Sequence, residues 1–184
     1  MPKVSEEHTQ ARREQILEGA RRAFARHGYE GATVARLEQE IGLSRGAIFN
    51  YFDGKWALFL TLAAEDQNRF MEALEGDGID GLIRSLARES PDWLAVYFEL
   101  ARRLRTNPEL MTELQERNPE ASRRGDELLA ALRDEGRLRD DVDLETTIVF
   151  VNIVANGLAL AVSLGLELDV DGLIRLLHGG IDAR

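Results

Sequence analysis

The segment GLSRGAIFNYFDGK, residues 42–55, gathers side chains whose hydrogen-bonding faces match nucleic acid. Arg45 offers two parallel N–H donors of the kind that fit guanine O6 and N7, and Asn50 offers the donor and acceptor that fit adenine. Thr33 and Tyr51 carry hydroxyls and Lys55 an ammonium, all suited to phosphate oxygens. Lys55 is one of two lysines beside twenty-one arginines. On composition alone, a solvated charge at the start of a helix explains it equally well.

Other chemistries have thinner support. The chain lacks cysteine, which removes disulfides, thiolate metal sites and thiol nucleophiles together. His8, His27 and His178 are dispersed, and no serine lies in a nucleophile-elbow context. Asp140 and Asp141 fall in a loop-like stretch without a partner for acid–base work. The expected class is therefore not an enzyme, and neither a catalytic residue nor a metal ligand is assigned.

Charge is unevenly spread over the 184 residues. Residues 1–55 carry a net +1 and residues 56–184 a net −11. A near-neutral module attached to an acidic body is compatible with DNA binding, because the local potential at the contact decides it. The start, MPKVSEEHTQARREQ, is polar throughout and does not read as a secretory signal. The run IVFVNIVANGLALAVSLGL, residues 148–166, is interrupted by Asn152, Asn156, Gly157 and Ser163, so it reads as a covered helix rather than a membrane span. A cytoplasmic protein without a membrane partner is the expectation.

The elements that must position these groups are helical. Apolar residues recur at three- and four-residue intervals, which predicts an all-α fold of about nine to ten helices. Ile16, Leu17, Ala20, Ala23 and Phe24 make the inner face of a helix over 9–27, and Gly28 is its stop. Thr33 caps a short helix over 34–41 that ends at Gly42. Ser44 caps a third, with Ala47, Ile48 and Phe52 facing inward and Arg45 and Gly46 on its exposed first turn. Two short helices joined by a tight glycine-containing turn form a helix-turn-helix, whose second helix enters the major groove of DNA. Further helices are predicted over 55–74, 79–89, 91–105, 108–117, 119–135, 144–164 and 170–181, with Pro91, Pro108 and Pro119 standing at first turns.

The string RREQILEGARRAFARHGYEGATVARLEQEIGLSRGAIFNYFDGKWALFLTLA, residues 12–63, resembles the DNA-binding domain of the TetR family of transcriptional regulators. This implies an amino-terminal three-helix DNA-binding domain at residues 1–55 and a larger effector-binding and dimerisation domain at residues 56–184. It also implies a dimeric repressor that reads a palindromic operator on double-stranded DNA and answers to a small molecule. By the same resemblance Thr33 and Lys55 contact phosphates, Tyr51 contacts the backbone, and Ser44, Arg45, Gly46 and Asn50 face the groove. Phe49 stands where the family often has tyrosine, and Trp56 replaces a commonly polar residue.

Within the family, ARRxQILxGARRxFA, GATVxRLE, SRGAIF, LFLxLAxED and LRTNP are similar to the aconitase repressor subgroup. That similarity implies control of aconitase expression with citrate as effector, free or as its Mg2+ complex; no other cofactor is expected. A citrate-like anion needs cations, and Arg102, Arg103 and Arg124 are the candidates, although for each of them a solvated arginine face is the favoured reading. Glu99 is placed with them, or pairs with Arg102 or Arg103 at helical spacing. Asn152 and Asn156 line a ligand cavity or fix the register of a subunit interface, the interface being favoured.

Overall fold

The computed structural model describes residues 6–182, the side chains at positions 6, 102, 115, 121 and 122 excepted. Among the described residues nine helices follow one another: α1 (Glu6–Gly31), α2 (Val34–Ile41), α3 (Arg45–Phe49), α4 (Gly54–Ala87), α5 (Pro91–Thr106), α6 (Pro108–Arg117), α7 (Pro119–Asp134), α8 (Leu144–Ser163) and α9 (Val170–Ile181). Extended pairing among them is confined to an isolated antiparallel bridge between Leu138 and Asp182. The all-α expectation holds, and α2 and α9 fall on their predicted bounds. Two expected breaks appear as kinks inside longer helices: Gly28 leaves helical geometry at φ 69°, and Gly78 does so at φ 67°.

The chain forms two compact units. The first comprises Met1–Glu65 and Ala95–Arg117, the second Asp66–Leu94 and Asn118–Arg184. Helices α4 and α5 each run through a border between them, so neither unit is a single stretch of chain.

In the first unit, α1 buries Ile16, Leu17, Ala20, Ala23 and Phe24 against Leu37 and Ile41 of α2, Ile48 of α3 and the start of α4. Removing this apolar area from water is what holds α2 and α3, helices of 8 and 5 residues too short to stand alone. The carboxyl end of α2 leaves carbonyls without intrahelical partners. Gln15 Nε2 donates to the Ile41 carbonyl at 3.1 Å and Arg22 to the Glu40 carbonyl at 2.9 Å, which satisfies two of them. An aromatic cluster of Phe24, Tyr29, Trp56, Phe59 and Tyr97 extends this core towards α5, with ring centroids 5.4 to 6.4 Å apart.

The second unit packs the later part of α4 with α7, α8 and α9, burying Leu74, Ile83, Leu129, Val151, Leu158, Ile174 and Leu177. Its buried carboxylate, Asp66, is 2% exposed; one oxygen accepts from Trp93 Nε1 at 2.7 Å and the other from Arg69 at 3.0 Å. Arg69 also pairs with Glu89. His178 on α9 lies between two carboxylates, Asp80 Oδ1 at 2.6 Å from Nε2 and Asp182 at 3.0 Å from Nδ1. Hydrogen bonds to Asp182 first and Asp80 second raise its pKa against an opposing desolvation.

Helix α8 is long and apolar enough to cross a membrane by length and composition, yet the expectation of a covered helix is not met within one chain. Val149, Phe150, Ile153 and Leu160 stay exposed on it. Leu164 at its end and Leu173 and Leu176 of α9 continue the apolar surface.

Candidate nucleic-acid interface

The recognition element is built from its caps. The Thr33 side chain accepts from the Arg36 N–H at 3.4 Å and starts α2, and the Ser44 side chain accepts from the Ala47 N–H at 3.4 Å and starts α3. Between them the chain turns at Gly42 in left-handed geometry. The turn is tied down by Glu38, whose carboxylate accepts from the Arg45 N–H at 2.6 Å. Ile48 is fully buried, so α3 must turn the positions off that side outward.

Arg45, Gly46 and Asn50 are the residues so presented, all exposed. A Cβ built on Gly46 would meet nothing within 4 Å, so this face stands open. Among the described residues no partner engages the Arg45 guanidinium or the Asn50 amide, and both keep their full donor sets for a ligand. Thr33 and Ser44 are exposed on the same unit and Tyr51 is half-buried. Arg45 at the first position of α3 and Asn50 at its C-cap thus present the two side chains that match base edges.

Lys55 is placed differently from a free phosphate contact. Its Nζ donates to the Tyr29 carbonyl at 2.7 Å and lies 4.3 Å from the centre of the Tyr29 ring. Desolvation there lowers its pKa, with Glu30 opposing. At least one of its three donors is spent inside the protein, joining the end of α1 to the start of α4.

The residues expected at an effector pocket are divided between the two units. Glu99 and Arg103 belong to the first unit, where Glu99 accepts from the backbone N–H groups of Tyr29 and Glu30 and Arg103 donates to the Glu30 carboxylate at 2.8 Å. Arg124, in the second unit, is held by both oxygens of Glu75 at 2.8 and 2.5 Å. Asn152 and Asn156 are exposed on α8, the Asn156 amide donating to the Asn152 carbonyl at 2.8 Å. The side chain of Arg102 lies outside the described residues. Glu99, Arg103 and Arg124 were placed there by charge, and each of the three has a local partner instead.

Clefts of the second unit are lined by other residues. One of about 530 Å3 is flanked by Arg69, Arg84, Ser85 and Arg88 with Asp77 and Glu89. Another of about 240 Å3 is apolar, between Ile83, Val154, Leu158, Ala161, Leu168 and Leu173. The arginines of the first were missed because Arg69 and Arg84 stand far apart along α4 and Arg88 just beyond its end, so no local spacing joins all three. No group of three or more metal-ligating side chains occurs among the described residues.

Comparison with known proteins accords with this geometry. Residues 16–62 match the model of the bacterial regulatory proteins, tetR family. The chain is 44% identical over 167 residues to the HTH-type transcriptional repressor Rv1474c of Mycobacterium tuberculosis, covering 90% of this chain and 89% of that protein. It is 41% identical to the HTH-type transcriptional repressor AcnR of Corynebacterium diphtheriae, covering 96% and 93%. Among solved structures the fold is similar to Salmonella enterica GusR, with a TM-score of 0.75 at 19% identity over 96% of this chain and 97% of that one. The fatty acid degradation regulator FadR of Bacillus halodurans gives a TM-score of 0.71 at 21% identity, covering 91% and 93%. An open recognition helix, its capped turn and full-length similarity to repressors converge: the chain belongs to the TetR family of bacterial regulatory proteins, in the group of helix-turn-helix transcriptional repressors that includes AcnR.

Proposed function

We propose that this protein is a homodimeric, cytoplasmic repressor that reads a palindromic operator through α3 and controls aconitase expression in response to citrate. The observation that carries the reading is the outward face of α3, where Arg45 and Asn50 keep their base-matching donors unengaged. Arg45 reads guanine, Asn50 reads adenine, and Thr33, Ser44 and Tyr51 hold the phosphates on either side. Dimerisation is supported by the apolar surface of α8 and α9, which a second copy would cover as a four-helix interface. Two recognition helices related by a two-fold axis then meet two half-sites.

The effector anion is assigned to the arginine-flanked cleft, where Arg84 and Arg88 face an opening wide enough for a small polycarboxylate. A magnesium ion would enter already chelated by the anion, with Asp77 or Glu89 completing its oxygen shell. Bound anion tilts α4, which begins at Gly54, and operator affinity falls by the differential binding to the two states. The apolar cleft favours a second reading, in which the effector is an apolar molecule and citrate is inert.

The test is selection of genomic fragments by the purified protein, with and without citrate and Mg2+. One palindromic fragment upstream of an aconitase gene, displaced by citrate and not by acetate, is the expected result. A palindrome elsewhere that ignores citrate leaves the repressor and removes the effector and target. No enrichment of any fragment overturns the reading.

A further inference from the structure

The kink at Gly28 creates a local deficit. Once α1 leaves helical geometry there, the N–H groups of Tyr29 and Glu30 lose their intrahelical acceptors, as at any helix start. Both are taken by one side chain from a different part of the sequence. Glu99 Oε2 accepts from Tyr29 N at 2.8 Å and Oε1 accepts from Glu30 N at 3.1 Å. The fit is close: a Cβ on Gly28 would come within 2.6 Å of Glu99 Oε2.

The surrounding contacts converge on the same two residues. Arg103, one turn on from Glu99, pairs with Glu30, and its guanidinium lies 5.3 Å from the Tyr29 ring centre. Lys55 donates to the Tyr29 carbonyl from the start of α4. Downstream, Ala32 N donates to the Gly28 carbonyl at 3.1 Å and Thr33 N to the Gly31 carbonyl at 2.8 Å, so the clamped turn runs directly into the cap of α2.

We propose that Glu99 is a positioning residue for DNA binding: its carboxylate holds the turn after Gly28 and so fixes the level from which Thr33, α2 and the recognition helix are suspended. It touches no nucleic acid itself. Charge-assisted hydrogen bonds are roughly twice as strong as neutral ones, which is why a carboxylate rather than an amide serves here. The proposal rests on the DNA-binding reading above, and its test includes an arm without DNA.

Sign separates this role from plain electrostatics. Neutralising an acidic residue ordinarily raises affinity for a polyanion. With the clamp, Glu99→Gln lowers operator affinity about tenfold, because the amide presents one acceptor where two N–H groups wait. Glu99→Asp keeps the charge but falls a methylene short, and it lowers affinity as well. In both variants base preference and the slope of log affinity against log salt stay at the wild-type value, since no phosphate or base contact is removed.

The arm without DNA is amide hydrogen exchange of the full chain. The Tyr29 and Glu30 amides are expected to be protected in wild type and to exchange at least about tenfold faster in Glu99→Gln, with Leu37 and Ile41 unchanged. Free exchange of both amides in wild type, or equal exchange in the variant, overturns the clamp even if neither variant folds well. Unchanged or raised operator affinity in both variants overturns the positioning role. Loss of all DNA binding by wild type would overturn the DNA-binding reading instead, while the exchange arm still decides whether Glu99 holds the turn.

Discussion

Gly19 of α1 and Ile41 of α2 cross so closely that a Cβ on Gly19 would lie 2.6 Å from the Ile41 Cα. The obstacle is backbone, so no change of rotamer relieves it. Gly19→Ala would gain up to about 1 kcal/mol in helix propensity, but overpacking costs about 1–3 kcal/mol. The expected outcome is net destabilisation, read as a lower midpoint in urea unfolding. Stability equal to or above wild type would refute the close crossing.

The buried Asp66 is a second site of strong dependence. Trp93→Phe preserves the aromatic volume and removes the N–H that one carboxylate oxygen accepts. Leaving a buried charged acceptor short of a donor costs about 1–3 kcal/mol or more. A thermal unfolding curve superimposable on wild type would show that the carboxylate does not depend on the indole N–H.

Arg45→Ala is expected to cost about 1–3 kcal/mol of discrimination at one base pair of each half-site and to leave the others intact. Competition against a panel of single-base operator variants measures it. Equal loss on every sequence would move Arg45 to the phosphates. Lys55→Ala separates two roles: a phosphate contact flattens the salt slope by about one unit, whereas the bond to the Tyr29 carbonyl predicts lower stability at an unchanged slope.

For the subunit interface, Ile153→Asp and Leu176→Glu are informative because these side chains are 64% and 75% exposed in one chain. Substitution at such positions should change the stability of a single chain by only about 0.5 kcal/mol. Both should shift sedimentation from dimer to monomer and lower operator affinity together. Dimers that persist in both variants would place the interface elsewhere.

The contacts of His178 with Asp80 and Asp182 predict a pH dependence. The doubly bonded imidazolium has its pKa raised in the fold, so its stabilisation is fully present below the unfolded value of about 6.5. It is lost as pH rises through the raised folded value, where the neutral ring can donate to only one of the two carboxylates. The difference in melting temperature between wild type and His178→Gln should be largest near about pH 6 and shrink as the solution is made alkaline. A difference independent of pH would remove the charge from the explanation.

The helices were readable because their signals are local. Thr33 and Ser44 mark starts, Gly42 marks a stop and Gly28 a kink rather than the expected stop, and apolar spacing gives α2 and α9 to the residue. The exposed α3 face was readable for the same reason, since burial of Ile48 and Phe52 leaves Arg45 and Asn50 no other direction. The partners of the remaining charged groups were not. Glu99 looked like one more acidic residue on an arginine-bearing helix, because its acceptor role depends on a kink far away in the sequence. Arg124 was chosen for its charge, and Glu75 neutralises it from another helix. A unit assembled from Met1–Glu65 and Ala95–Arg117 leaves no trace in composition, so contacts between those stretches had no signal to find.

The fit between Gly28 and Glu99 makes the two positions a single heritable unit. Any side chain at 28 meets the carboxylate in a backbone conformation that L-residues rarely adopt, and a shorter or uncharged residue at 99 leaves at least one amide without its acceptor. Neither change is tolerable alone, and one accompanied by the other requires a differently shaped turn. Descendants of this chain should therefore keep both residues or replace both, along with the turn between α1 and α2.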